Sequence, residues 1–147
     1  MKYKFKLQKL LDIRIKEEEE SKIAYGKEQN KKNMLENKLD DLKSKYNEYN
    51  NMSNIKDIVT QKITLNYLEV LIKNIEETNE ELIKQEENIK KAKEDFIQKQ
   101  IKRKSLETLK EKQINEIKKE EERIEQLNND EFALYAYLRK KEKVSWY

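Results

Sequence analysis

The sequence predicts an all-α protein: a two-stranded antiparallel coiled-coil hairpin with a long C-terminal arm overhanging the N-terminal arm. Three observations lead to this prediction. The stretch from Ile55 to Lys143 contains neither proline nor glycine, so nothing in it punctuates a helix. Its apolar residues recur at spacings of three and four, the period of one helical face. Charged residues make up 43% of the chain and hydrophobic ones 35%, which is typical of an extended coiled coil rather than a wide globular core.

The second arm, at about residues 55–143, carries the longest apolar stripe. An unbroken helix of this length would extend roughly 130 Å at 1.5 Å per residue, and a stripe of that length needs a partner to bury it. The stripe consists of Leu65, Leu68, Ile72, Ile75, Leu82, Ile89, Ile117, Ile124, Leu127, Leu134 and Leu138.

The first arm, at about residues 4–49, is predicted to supply that partner. Its first residues alternate aromatic and aliphatic side chains with lysines, and then place Leu7, Leu10 and Leu11 on a helical face. This end suits either a docking or membrane-surface helix or the first turns of a coiled-coil arm. The stripe is weak around Gly26, the single glycine. It sharpens at spacings of 4, 3, 4 and 3 in Leu35, Leu39, Leu42, Tyr46 and Tyr49.

The tyrosines Tyr46 and Tyr49 have two interpretations. Either they pack against the partner helix like the leucines before them, or they use their amphipathic rings to contact another protein.

A cluster of asparagines around position 50 predicts the turn between the arms, at about residues 50–54, because asparagine competes with helical hydrogen bonds. Asn54 followed by Asp57 resembles an N-cap with an acidic residue in the first turn. The whole chain, 1–147, is then a single helical hairpin. Folding the arms back from this turn sets Tyr49 opposite Ile55 and Leu42 near Ile63 and Leu65. Asn79 is predicted to lie on the seam and help fix this register.

In that register the first arm ends level with Ile101, so residues from about Lys104 onward have no intrachain partner. The heptad phase also slips between Ile97 and Leu109, which predicts that the helix bends or unwinds locally there. The overhanging part ends in the most apolar run of the chain, Phe132 to Leu138. An exposed patch of this kind indicates a partner or self-association site. Its candidate contact residues are Phe132, Leu134, Tyr135 and Leu138.

Composition argues against catalysis and against several partner classes. The chain has no histidine and no cysteine, which excludes the usual zinc sites and nucleophile–histidine pairs, so we expect neither an enzyme nor a cofactor. Lys+Arg number 33 and Asp+Glu 30, a formal charge of +3, which is a mixed surface rather than a nucleic-acid-binding one. No apolar run approaches a membrane span and no secretory signal is recognised, so we expect a soluble cytosolic protein.

The N-terminal run from Phe5 to Arg14, F-K-L-Q-K-L-L-D-I-R, followed by Glu17 to Glu20, resembles the opening of the FliJ family. These are small soluble components of the bacterial flagellar type III export apparatus. Leu10 to Arg14 is the specific part of the resemblance. The remainder is a coiled-coil pattern that many families share.

The resemblance implies a stalk-like coiled coil similar to the central γ stalk of rotary ATPases. It also implies binding to the hexameric flagellar export ATPase, contact with the export-gate membrane protein FlhA, an escort role toward export chaperones, and a cytoplasmic position at the inner face of the membrane. The free ends of the hairpin would engage the ATPase, through Phe5, Leu7, Leu10, Leu11 and the run from Phe132 to Leu138. The gate contact would lie near Leu42, Tyr46 and Tyr49.

Two other classes fit the composition. One is a generic coiled-coil scaffold or dimerisation protein, and the other is a holdase chaperone that grips clients between its tips. The N-terminal run favours the export component over both.

Overall fold

The structure is a computed structural model that describes residues 3–51 and 57–145, with side chains to residue 143. It contains two long helices, α1 (Gln8–Asn51) and α2 (Ile58–Ser145), and the described ranges hold no strand. The predicted all-α helical hairpin is therefore confirmed. The chain divides into two compact units. We call Ile13–Lys102 the hairpin unit, and Met1–Asp12 with Arg103–Tyr147 the terminal unit.

In the hairpin unit, α1 and α2 run antiparallel. Near one end the rings of Tyr49 and Tyr67 meet edge to face, with centroids 4.8 Å apart. Further along, Lys32 Nζ lies 3.8 Å from Glu86 Oε1. At the other end, the ring of Tyr25 is stacked with that of Phe96 at 6.4 Å. Residue numbers fall on one helix as they rise on the other, which defines the direction of pairing.

These contacts correct the register that the sequence suggested. Tyr49 packs beside Tyr67 rather than Ile55, so Leu42 lies level with Ile75 rather than with Ile63 or Leu65. The shift is about ten residues, or roughly three helical turns. The prediction assumed a tight turn immediately after the first arm, whereas α2 reaches the level of the last turn of α1 only around Leu68.

The end of α1 and the start of α2 border the predicted turn. α1 continues through Asn51, and residues 52–56, including Asn54, lie outside the described residues. Asp57 caps α2: its carboxylate accepts a hydrogen bond from the Val59 amide (3.2 Å) and one from the Thr60 hydroxyl (2.8 Å). Such caps satisfy backbone donors that the first helical turn leaves unpaired.

The less exposed side of each helix follows a regular heptad pattern. On α1 it includes Leu11, Ser21, Tyr25, Leu35, Leu39, Leu42 and Tyr46, and on α2 Leu68, Leu71, Ile75, Thr78, Leu82, Gln85, Ile89, Ala92, Phe96 and Lys99. Leu71 is 2% exposed and Thr78 1%. By contrast, the predicted seam residues Leu65 and Ile72 are 50% and 42% exposed.

Polar side chains occupy part of the seam, and each is satisfied. The Ser21 hydroxyl donates to the Glu18 carbonyl at 2.8 Å and the Thr78 hydroxyl to the Asn74 carbonyl at 2.7 Å. Gln85 reaches across to α1, donating to the Glu28 carbonyl at 2.8 Å and to its carboxylate at 2.5 Å. The hydrogen bonds of Ser21 and Thr78 stay within their own helices, whereas those of Gln85 cross to α1. A shifted register would separate Gln85 from Glu28, so this contact favours one alignment.

The predicted role of Asn79 in fixing the register is therefore wrong. Asn79 is exposed, whereas its neighbour Thr78 and the more distant Gln85 are buried. Gln85 is buried in the seam and bonds across it to Glu28 of α1.

In the terminal unit, the beginning of the chain packs against α2. Phe5 is 7% exposed and Leu11 3%. Lys110 Nζ donates a hydrogen bond to Gln8 Oε1 at 2.6 Å, and the Tyr3 hydroxyl donates to Gln113 Oε1 at 2.6 Å. Intrachain pairing therefore continues to Gln113, about ten residues beyond the predicted limit.

The predicted slip of the heptad phase is also wrong. After Lys99, the less exposed positions of α2 continue at Arg103, Leu106, Lys110 and Gln113, again at spacings of four and three. Long polar side chains occupy most of these positions, and they cover apolar neighbours with their methylene stems. A search for apolar residues alone misses such positions.

Candidate partner-binding surfaces

The C-terminal part of α2, residues 114–143, is exposed at every position, and we call it the overhang. Its most exposed apolar side chain is Phe132, at 75%. Leu134, Tyr135 and Leu138 are 57%, 63% and 46% exposed. The four predicted contact residues of this region thus lie together on the helix surface, accessible to another molecule.

The overhang continues the heptad spacing of the paired part of α2. Counting on from Gln113 by four and three gives Ile117, Glu120, Ile124, Leu127, Glu131, Leu134, Leu138 and Lys141. Five of these eight residues are aliphatic. The face that packs against the start of the chain up to Gln113 is therefore followed by about four heptads of similar character that α1 does not cover.

The N-terminal candidates fall into two groups. Phe5 and Leu11 are buried in the packing of the terminal unit, whereas Leu7 and Leu10 are 40% and 36% exposed. Leu7 and Leu10 are therefore available to a partner in the folded chain. A contact through Phe5 or Leu11 stays a prediction, and it would require this packing to open.

The two tyrosines of α1 lie at the seam of the hairpin unit. Tyr46 is half-buried, and Tyr49 is 36% exposed and packs edge to face with Tyr67. The partial burial of both rings fits packing within the chain, and part of the Tyr49 ring is also exposed. Their role in partner binding stays a prediction.

The sequence prediction missed one exposed apolar group, at the start of α2. Ile58, Val59 and Ile63 are 79%, 66% and 64% exposed. They precede the first position of α2 that packs against α1. The sequence does show this group, as a cluster of β-branched apolar residues directly after the turn. The predicted register, however, placed Ile63 inside the seam, next to Leu42.

The overhang contains an exposed ion pair between Arg123 and Glu120. Arg123 donates hydrogen bonds to the Glu120 carboxylate, the shortest at 2.6 Å. This hydrogen bond, together with the charge of Arg123, lowers the pKa of Glu120, and the same contact raises the pKa of Arg123. Both side chains are exposed, so water and salt screen the pair.

No group of acidic side chains suited to a metal ion occurs within residues 3–51 and 57–145. In the same part of the chain, neither helix has a segment long and apolar enough to cross a membrane.

Comparison with known protein families gives a match over most of the chain. Residues 3–142 match the family model described as Flagellar FliJ protein. The match covers nearly the whole chain, including both helices and most of the overhang. No curated protein and no solved structure matches the chain.

Proposed function

Because the chain belongs to the FliJ family of flagellar proteins, and is thus a component associated with flagellar type III export, we propose that it acts as a stalk that binds the export ATPase. In this proposal the overhang docks on the hexameric ring. The same protein contacts the export gate FlhA and escorts export chaperones, and it has no catalytic role of its own. It works on the cytoplasmic side of the membrane, held there by the apparatus.

The observation that carries the proposal is the exposed apolar run of the overhang. Burying apolar surface contributes about 25 cal/mol per Å², so covering Phe132 and Leu134 alone would stabilise a complex by several kcal/mol. Aromatic anchors often dominate such interfaces. The basic residues from Arg139 onward would attract an acidic rim of the binding site on the ATPase.

Binding of purified chain to the purified export ATPase tests the proposal. Replacing Phe132, Leu134 and Leu138 together by serine should abolish binding while the helix content of the hairpin unit is kept. The matched control replaces Ile58, Val59 and Ile63 by serine, three residues of similar exposure at the start of α2, and it should bind normally. If the overhang variant is folded and still binds, the docking site lies elsewhere, with Leu7 and Leu10 as the next candidates.

The gate contact is supported by the partial exposure of Tyr49, one helical turn from Tyr46. Tyr49→Ala should weaken binding to FlhA and leave ATPase binding unchanged. Met34→Ala is the control, because Met34 is 72% exposed on the same helix. Equal binding of both variants to FlhA would remove Tyr49 from the proposed contact.

A further inference from the structure

We propose that the overhang is also a self-association surface, through which two copies of this chain pair antiparallel about a two-fold axis near Ala136. The proposal does not rest on the docking of the ATPase, and its test uses this chain alone. It starts from the heptad spacing that continues from Gln113 into the overhang.

The layers of a coiled coil follow from the heptad positions. In an antiparallel pair, the first apolar position of the heptad, a, shares a layer with the second, d, of the other helix. The hairpin unit obeys this rule: Leu39, an a position, lies level with Thr78, a d position, and both are buried. In the overhang, Glu131 and Leu138 are a positions, and Leu134 and Lys141 are d positions.

In one register of two overhangs, each central layer pairs either two leucines or two opposite charges. With the axis near Ala136, Leu134 of one copy packs on Leu138 of the second, and this layer occurs twice by symmetry. On either side, Glu131 faces Lys141 of the second copy. The flanking positions bring Tyr135 and Tyr137 beside the same residues of the second copy, which buries rings that are 63% exposed in the single chain.

Other arrangements match less well. Sliding the antiparallel pair by one layer sets Glu131 against Leu134 and Lys141 against Ile124, so each charge meets an aliphatic side chain. A parallel pair in register sets Glu131 against Glu131 and Lys141 against Lys141. Like charges across a seam cost stability and exclude that arrangement. Charge complementarity therefore selects the antiparallel register about Ala136.

The interface is short. Four central layers with flanking tyrosines place it at the low end of specific interfaces, below about 1,200 Å² in total. We therefore expect a dimer that forms at high protein concentration and dissociates on dilution. Self-pairing covers Leu134, Tyr135 and Leu138, so it would compete with any partner that uses these residues.

Sedimentation equilibrium of the full chain over a concentration series tests the proposal. Glu131→Lys places Lys opposite Lys and should raise the dimer dissociation constant about tenfold or more. Lys141→Glu should do the same. The double variant Glu131→Lys with Lys141→Glu restores opposite charges and should recover wild-type dimerisation within about twofold. Lys140→Glu, a charge reversal on the outer face of the helix, is the matched control and should change little.

The relative direction of the two helices in the dimer is tested by the distance between nitroxide labels attached to the variant Glu120→Cys. In the antiparallel dimer the two labels lie about 48 Å apart, because each is 16 residues from the axis at 1.5 Å per residue. A parallel dimer would bring them within about 15 Å. A wild-type chain that remains monomeric up to millimolar concentration, a double variant that fails to recover, or a short label distance would each overturn the proposal.

Discussion

Leu71 and Leu134 are the same amino acid at the same heptad position of the same helix, yet Leu71 is 2% exposed and Leu134 57%. Neither intrinsic helix propensity nor local sequence spacing distinguishes them. What differs is the neighbour: Leu71 packs against α1, whereas α1 does not reach Leu134. A heptad thus specifies a face that needs a partner, and the length of the other arm decides which part of that face the chain buries itself.

The largest expected effect comes from truncating each of these leucines. Leu71→Ala should lower the free energy of unfolding by about 3 kcal/mol, since it removes a buried side chain and leaves a cavity. Leu134→Ala should change it by less than about 0.5 kcal/mol, as exposed positions usually do. Urea unfolding followed by circular dichroism at low protein concentration measures both. Equal losses of stability would mean that the overhang is packed in the monomer, which would contradict the difference described between Leu71 and Leu134.

The next prediction concerns how the paired region selects its register. Gln85→Leu removes the hydrogen bonds to Glu28 and should change stability by no more than about 1 kcal/mol, because an apolar side chain replaces a satisfied polar one. The substitution should instead allow α1 and α2 to pair in more than one register. Cysteines at Leu42 and Ile75 should cross-link within one chain in the presence of Gln85, whereas cysteines at Leu42 and Leu65 should not.

In the Gln85→Leu background, cross-linking of the second cysteine pair should become detectable. If the Leu42–Leu65 pair cross-links already in the parent chain, the register described above is wrong. If neither background shows it, the leucine and tyrosine layers fix the register without Gln85.

A smaller effect is expected at the single glycine. Gly26 lies inside α1, and a Cβ added there meets nothing within 4 Å, so Gly26→Ala should raise the free energy of unfolding by up to about 1 kcal/mol. Ala24→Gly, at an exposed position of the same turn, should lower it by a similar amount. Thermal unfolding of both variants checks this. A destabilised Gly26→Ala chain would mean that the added methyl group meets a neighbour, contrary to the open space around Gly26.

The smallest effect on stability is expected in the overhang. Arg123→Gln removes the hydrogen bond that lowers the pKa of Glu120, so the pKa of Glu120 should rise toward its ordinary value, which an NMR titration of the carboxyl resonance measures. Because the folded pKa is the lower one, any contribution of the pair is present above the unfolded pKa and lost as pH falls through the folded pKa. At neutral pH the melting temperature should not change, since the pair is exposed. A clear drop in the melting temperature of Arg123→Gln would mean that tertiary contacts stabilise the overhang.

The residues that the sequence placed correctly share one feature. Leu39, Leu42, Leu68 and Ile75 lie in apolar heptads, and all four belong to the seam. Two errors arose where the seam is polar. Gln85, Lys99 and Lys110 hold seam positions without being apolar, so apolar spacing alone predicts a slip of the heptad phase, and it does not identify the buried polar residues. A third error concerns apolar residues, because Leu65 and Ile72 fit the spacing but are exposed.

The candidate partner-binding residues also include some that the sequence predicts correctly as exposed and some that are buried. Phe132, Leu134, Tyr135 and Leu138 were predicted as an accessible cluster because no partner could be found for them in the sequence, and they are exposed. Phe5 and Leu11 had the same apolar signature but are buried. Hydrophobicity shows that a side chain needs to be covered, and it does not show which molecule covers it.

The sequence by itself determined the helices, the hairpin and the unpaired end. These follow from local terms: the absence of proline, the scarcity of glycine, and an apolar spacing near 3.5 residues. Only the tertiary structure decided the register, because sliding two heptad faces by a few layers changes their total burial little. The choice falls to particular contacts, such as Gln85 with Glu28 and Tyr49 with Tyr67. They place Gln113, and not Ile101, beside the start of the chain, and so set where the overhang begins.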